Sequence, residues 1–392
     1  MNAIHVATAA TLAALSAIAP AQDLLVRSKT IVLAPDTTLT DGSFLVRNGK
    51  VAWVGSDIPA EARDRATVVD YGDATIVPGF VLPPTTLGRE RDLVEGALAF
   101  TPDLRAVEAF DPWQEELGRL PASGVTSASL SPSPRNVAAG IGALVKPGKN
   151  GGVVAAPETH VVLSLSAVAR NPERPPTSLM GAVDLLRSAF ATAKAGVQLG
   201  PDTAVLRQVL QGSRRAFVHA DNFAELQAVL DLAREFGFEP VLVGARDAVK
   251  VLPRLAQQKA SLVLDPLRAD SRLTTLALPA KLAEAGVPFC FLGRADQVRL
   301  SAVLAVRHGL DRRSALQALT RAPAAMLGQE AVVGVLRQDH AADFVVFRGD
   351  PLDLSSALVA TWVDGNRLFG EAPRSAPKTA KSNAAATVAG ER

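Results

Sequence analysis

The chain is short of several residue types, and each shortage closes off a class of protein. One of its 392 residues is a cysteine, Cys290, so no internal disulfide can form and no Cys-x-x-Cys or zinc-finger spacing exists. Cys290 lies in the apolar run Val287-Pro288-Phe289-Cys290-Phe291-Leu292, the setting of a packed thiol rather than a nucleophile. Aromatic residues are 5% of the chain, and 41 basic against 39 acidic side chains leave a net charge of +2. With no dense Lys/Arg run and no interleaved aromatic stripe, nucleic acid is not an expected partner. Beyond the N-terminus no uncharged apolar run reaches the roughly 20 residues that cross a bilayer. There is no P-loop, and Gly140-Ile141-Gly142 lacks the glycine pattern of a dinucleotide fold. Ser127, Ser129, Ser131 and Ser133 lie near a strand end without a Gly-x-Ser-x-Gly elbow, which leaves a serine hydrolase without support.

What is present is apolar material, 48% of the chain, enough for a barrel-sized core and a smaller companion domain. Residues 1–21 read as a signal peptide: an uncharged apolar stretch from Ala7 to Ile18, then Ala19-Pro20-Ala21 before Gln22. They predict an exported protein, periplasmic or extracellular. Residues 22–75 carry short strands and turns, including an Asn48-Gly49 hairpin signal between two alternating runs. The same pattern returns within residues 333–370, at Asp343-Phe344-Val345-Val346-Phe347 and Ala360-Thr361-Trp362-Val363-Asp364-Gly365-Asn366-Arg367-Leu368, so both chain ends are expected to build one small β-sandwich domain. Residues 371–392 are rich in Ala, Pro, Ser and Lys without periodicity and read as a disordered tail.

Between them, residues 76–332 alternate strand-like and helical runs, the pattern of an α/β protein with a parallel sheet. Strands are expected at Ile76 to Val81, Val125 to Leu130, Val161 to Leu165, Ala216 to His219, Val241 to Gly244, Leu262 to Asp265 and Phe289 to Gly293. Amphipathic helices are expected at Gly181 to Lys194, Asp202 to Gln211, Asn222 to Phe236, Arg246 to Gln257, Thr275 to Ala285 and Arg299 to Gly309. The span matches the roughly 250 residues of a (β/α)8, TIM-like barrel, with seven strands legible and an eighth unassigned.

Several stretches resemble the imidazolonepropionase-like branch of the metal-dependent amidohydrolases. They are Val68-Val69-Asp70 followed by Ile76-Val77-Pro78-Gly79-Phe80, and Gly124-Val125-Thr126-Ser127 leading to Gly142-Ala143-Leu144-Val145-Lys146. Towards the C-terminus come Ala315-Leu316-Gln317-Ala318-Leu319-Thr320-Arg321-Ala322-Pro323-Ala324-Ala325-Met326-Leu327-Gly328, Ala342-Asp343-Phe344-Val345-Val346-Phe347 and Gly349-Asp350-Pro351-Leu352. The resemblance implies hydrolysis of non-peptide carbon–nitrogen bonds by metal-activated water. It also implies a His-x-His pair on the first strand, histidines on the fifth and sixth, and an aspartate on the eighth. Most of that set is missing. Pro84 and Thr86 stand where the pair would be, Val243-Gly244-Ala245 offers nothing at the sixth strand, and Arg294 replaces the aspartate unless a two-residue slip brings in Asp296. His219 is the surviving ligand position, and one imidazole does not hold a catalytic divalent ion.

A degraded metal site, a pseudoenzyme and a role as a binding or partner subunit, beside an intact paralogous amidohydrolase, are therefore expected, with no cofactor. Two alternatives remain: an active hydrolase with a zinc-type metal on His219, Asp221, Asp265 and Asp296, or a periplasmic receptor holding a small anion through Arg294, His219, Asp265 and Thr85 or Thr86. An internal Arg294–Asp265 ion pair is expected to fill the space the metal left. Lys146 is expected to be a loop lysine rather than a carbamylated metal bridge. His5 falls in the signal, His160 opens a strand, His308 ends a helix and His340 sits in a surface turn.

Overall fold

Two sheets organise the protein in a computed structural model that describes residues 23–60, 65–85, 87–88, 90–196 and 200–371. The expected signal peptide, Thr86 and all but the first residue of the expected tail lie outside the described residues. The first sheet takes strands from both chain ends: β1 (Leu24–Ala34), β2 (Thr37–Arg47), β3 (Lys50–Gly55), β4 (Thr67–Asp70) and β5 (Thr75–Pro78), with β14 (Phe344–Arg348), β15 (Ala357–Val363) and β16 (Asn366–Gly370). Its order is β16-β15-β14-β5-β1-β2-β3, with β4 also on β1. Asn48 and Gly49 turn the β2–β3 hairpin with φ of 50° and 76°, and Asp364 and Gly365 turn β15–β16 with 46° and 68°. Both turns need two consecutive left-handed residues, which Asn-Gly and Asp-Gly tolerate. The rings of Phe44 in β2 and Phe344 in β14 meet edge-on at 5.1 Å, although β5 and β1 separate their strands within the sheet. The sheet therefore curls over its own core, which gives the small domain its sandwich character.

Ile76-Val77-Pro78, read from the sequence as the start of the barrel, belongs to this sheet: β5 pairs with β1 and β14. The barrel begins after Gly79. Its strands are β6 (Phe80–Thr85), β7 (Val125–Leu130), β8 (Ala138–Lys146), β9 (Val153–Ser164), β10 (Arg215–Ala220), β11 (Pro240–Gly244), β12 (Ser261–Leu264) and β13 (Phe289–Phe291). They are hydrogen-bonded in that order, and β13 comes round to approach β6. The strand that the sequence left unassigned is β8, antiparallel to both β7 and β9.

Helices follow as α1 (Glu115–Arg119), α2 (Leu179–Lys194), α3 (Pro201–Leu210), α4 (Phe223–Phe236), α5 (Leu252–Gln257), α6 (Leu273–Leu276), α7 (Leu278–Glu284), α8 (Ala295–Arg307), α9 (Arg312–Leu319) and α10 (Arg321–Met326). The helix expected from Arg246 is shorter, because a 3-10 turn at Ala248–Val251 precedes α5. The one expected from Thr275 is divided into α6 and α7, with Pro279 in the first turn of α7. Proline has no N–H to give, so it opens a helix rather than continuing one.

Alternation along the strands separates inside from outside. Leu82, Val218, Leu242, Leu262 and Phe291 pack with helix residues such as Leu186, Phe190 and Leu230 in the outer shell. Val81, Phe217, Val241, Val243, Val263 and Cys290 face the barrel interior, which Met326 and Leu327 close from one end. Cys290 is fully buried with Sγ 3.4 Å from the Met326 sulfur, and burial pushes its thiol pKa up.

Lys146, at the end of β8, ties the two sheets together. Its ammonium lies 2.9 Å from Asp343 Oδ2 and 2.7 Å from Asp364 Oδ1, and the Lys146 and Asp343 side chains are 2% and 3% exposed. Asp343 Oδ1 also accepts the backbone N–H of Asp364 at 2.9 Å. Desolvation pulls the ammonium's pKa down, but the two carboxylates outweigh it and hold Lys146 charged. Removing one partner of a buried pair leaves an uncompensated charge and costs about 3–5 kcal/mol, against a total stability of about 5–15 kcal/mol. Urea denaturation of Lys146→Met should show a loss of that size, milder in the Lys146→Met/Asp343→Asn double variant. If the single variant lost no more than Lys29→Ala, which breaks the exposed Lys29–Asp73 pair, the clamp would be refuted.

Candidate functional site

The mouth of the barrel, where the strands end, is built from the turns after β10, β11 and β12. Asp221-Asn222-Phe223-Ala224-Glu225 carries a capping box: Asn222 Oδ1 accepts the Glu225 N–H at 3.1 Å, and Glu225 Oε2 accepts the N–H of Asn222 at 3.4 Å and of Asp221 at 2.8 Å. Arg170 holds the same buried Glu225 at 2.9 Å. The next turn is stitched to it, Ala245 N–H to the Ala220 carbonyl at 2.9 Å and Asp247 N–H to the Asp221 carbonyl at 3.2 Å. Gly244 and Ala245 are both left-handed, with φ of 93° and 50°. A Cβ on Gly244 would run into the Asp221 carboxylate, so glycine is needed there on two grounds. A buried alanine at positive φ is uncommon and costs of order 1 kcal/mol.

This double turn delivers Arg246, which the sequence reading passed over. Its Nε lies 3.4 Å from Asp265 Oδ2 and 3.8 Å from Asp221 Oδ1, so an exposed guanidinium sits between two carboxylates at the ends of β10 and β12, on either side of β11. Burial raises the Asp221 pKa and Arg246 offsets part of that rise. The expected Arg294–Asp265 pair does not form. Arg294 stands at the N-cap of α8 and folds back on Asp296, Nε to Oδ1 at 3.2 Å and a terminal nitrogen to Oδ2 at 3.0 Å. A short chain path and an exposed bidentate geometry favour that partner. Arg294 and Asp296 line a groove of about 530 Å³ with Leu82, Leu87, Glu116, Arg119 and Leu120. Thus Asp221 and Asp265 are brought together through Arg246, while Asp296 and Arg294 satisfy each other. Thr86 lies outside the described residues.

His219 ends the inward face of β10, level with Ser164 and Val243. The ring is half-buried, and desolvation lowers its pKa to about 4, so it is neutral at pH 7. Deeper in, a chain of hydroxyls leads from Ser129 on β7 to His160 on β9. Ser129 Oγ lies 2.8 Å from Ser131 Oγ, and Ser131 Oγ 2.9 Å from His160 Nε2. On the other side of that ring, Nδ1 is 2.8 Å from Thr159 Oγ1, which donates to the Gly142 carbonyl at 3.1 Å. Because that carbonyl can only accept, the proton order is fixed: Nδ1–H donates to Thr159, and Nε2 accepts from Ser131. His160 is fully buried, packs at a tilt against Phe217 with ring centres 4.4 Å apart, and occupies space that a Cβ on Gly142 would take. Desolvation first, then Arg214 and His219, lower its pKa to about 3.

His340, expected in a surface turn, is instead buried, with Nε2 3.1 Å from the Glu330 carbonyl. His308 caps the end of α8 as expected.

A divalent ion of the zinc type does not fit this donor set. Pro84 has no donor atom, the sixth-strand turn supplies Arg246, and the eighth supplies Arg294. Among the described residues no three His, Cys, Asp or Glu side chains come together in a way that could hold a metal ion.

Residues 281–369 match the model of the Amidohydrolase family. The fold superposes on an amidohydrolase from Thermotoga maritima MSB8 with a TM-score of 0.78 and 24% identity, over 89% of this chain and 100% of that one. The C-terminal part thus carries an Amidohydrolase family domain, and the fold as a whole is one shared with amidohydrolases. The ochratoxinase of A. niger shares the fold at a TM-score of 0.55 and 16% identity, over 90% of this chain and 97% of that one. Among curated proteins, the chain is 23% identical to the Amidohydrolase tasK of Hapsidospora irregularis, over 84% of this chain. It spans 40% of that relative's length.

Both histidines of the interior bind protons less readily when folded than the ordinary 6.5. The unfolded chain therefore takes up protons first as pH falls, and stability, full above about pH 6.5, is lost on the way down to about 4 for His219 and about 3 for His160. The midpoint of thermal unfolding should fall over that range. In His160→Gln, whose amide can still reach Ser131 and Thr159, the slope should be shallower, and an unchanged slope would show that His160 does not carry the effect.

Proposed function

We propose that this chain of amidohydrolase fold acts as a binding or partner subunit and does not itself hydrolyse carbon–nitrogen bonds. The reading is carried by Arg246, whose guanidinium lies between Asp221 and Asp265 at the strand ends where the family resemblance places metal ligands. A positive charge there repels a divalent cation, and its hydrogen bond to Asp265 engages one of the carboxylates that a rearranged metal site would need. The rearranged site would also need Asp296, which is paired to Arg294. The anion-receptor reading is weakened by the same pairs, since two carboxylates face one guanidinium around Arg246.

The test is metal content and turnover together. The full chain, purified without chelator and equilibrated with zinc, manganese and iron, should retain well below one ion per molecule and show no metal-dependent hydrolysis of cyclic amides, dipeptides or lactones. Near-stoichiometric retention with turnover abolished by His219→Ala would overturn the proposal. Export belongs to the same reading, supported by the apolar stretch Ala7 to Ile18 and Ala19-Pro20-Ala21. N-terminal sequencing of the secreted protein should then begin at Gln22, and retention of the intact start would count against it.

A further inference from the structure

We propose that the base of the barrel, at the end opposite the mouth, carries a second binding site, for a small amphipathic anion with a carboxylate or phosphate head and a short apolar tail. A cavity of about 430 Å³ opens there, between the starts of β10, β11 and β12 and the plug formed by α9 and α10. This is within the usual range for small-molecule pockets. Its cations are Arg215, Lys259 and Arg321, against the single carboxylate of Glu239, and Ser261 and Gln317 add polar side chains.

None of the three cations is tightly held. Glu239 lies 3.7 Å from Arg215 and 3.8 Å from Lys259, longer than a charge-assisted hydrogen bond. Arg321 reaches Asp36 at 4.0 Å, while Arg313 holds the same carboxylate at 3.3 Å. Arg294 at the other end of the barrel, by contrast, is gripped by Asp296 in two hydrogen bonds. The pocket thus has two positive charges in excess, with guanidinium and ammonium donors free to turn towards an anion. Its walls are apolar: Val241, Pro288, Ala322, Ala325 and Met326. An inorganic ion would use the rim alone, whereas an alkyl carboxylate or phosphate would also cover this floor, which is why the amphipathic class is preferred. A ligand seated there would bridge three barrel strands and the plug helix α10, so it should stabilise the fold by mass action.

The site is independent of the mouth, and its test uses the full-length protein. Thermal unfolding would be followed with acetate, hexanoate, inorganic phosphate and hexyl phosphate at matched ionic strength. Hexanoate and hexyl phosphate should raise the midpoint with rising concentration, at least about tenfold more effectively than acetate or phosphate, and the stronger of the two identifies the head group. Lys259→Ala/Arg321→Ala should weaken both about tenfold or more, and Arg246→Ala at the mouth should leave them unchanged. Equal effects of hexanoate and acetate, no rise with any ligand, or a full response in the Lys259→Ala/Arg321→Ala variant would overturn the proposal. Because Lys259 and Arg321 are exposed at the surface, the double variant should fold, and its unliganded midpoint verifies that.

Discussion

The ammonium of Lys146 is the constraint on which the rest of the architecture rests. It joins the end of a barrel strand to the entry of β14 through Asp343 and to the β15–β16 turn through Asp364. Chain segments about two hundred residues apart are thereby fixed to one atom. Packing alone would leave the two sheets free to slide, because apolar contact is non-directional. A buried ion pair is not, since its partners lose most of their attraction when misaligned. Lys146, expected in a loop, is instead a buried tie at the end of β8.

Within that frame the barrel interior is divided. On one side Phe217, Val241, Val243, Val263 and Cys290 form an ordinary apolar filling. On the other, Ser129, Ser131, Thr159 and His160 form a hydrogen-bonded chain in which every donor has an acceptor. A fully satisfied polar network of this kind is stable in a low dielectric and rigid because it is directional. At the mouth above it, Arg246 lies between Asp221 and Asp265 and is exposed to solvent.

How much of this could be read from the sequence depended on how local the cause was. Val125 to Leu130 and the Asn48-Gly49 hairpin stood where their periodicity and turn chemistry placed them, since neighbours a few residues apart determine both. Strand β8 escaped notice because Ala138-Ala139-Gly140-Ile141-Gly142-Ala143 sets a single β-branched residue, Ile141, among alanines and glycines; Gly142 is required there by the His160 ring, which lies further along the chain. Arg246 was missed for a similar reason. Its direction is set by positive φ at Ala245, a residue type that does not announce such a turn. The family resemblance pointed to the strand ends, but ion-pair partners depend on side-chain reach, which spacing does not encode.

The antiparallel course of β8 also bears on how the barrel assembles. Its neighbours β7 and β9 are reached through short connections at residues 131–137 and 147–152, so these strands form a meander rather than two crossover units. Where a crossover helix would lie, the irregular stretch around Phe100 to Arg105 is bridged to β8 at Ala138 and Ile141. Parallel neighbours can pair only after a long loop has closed, at an entropic cost paid before any contact forms, whereas hairpin neighbours meet early. This third of the barrel can therefore zip up ahead of the rest and offer β9 as a ready edge on which the strand bearing His219 is templated.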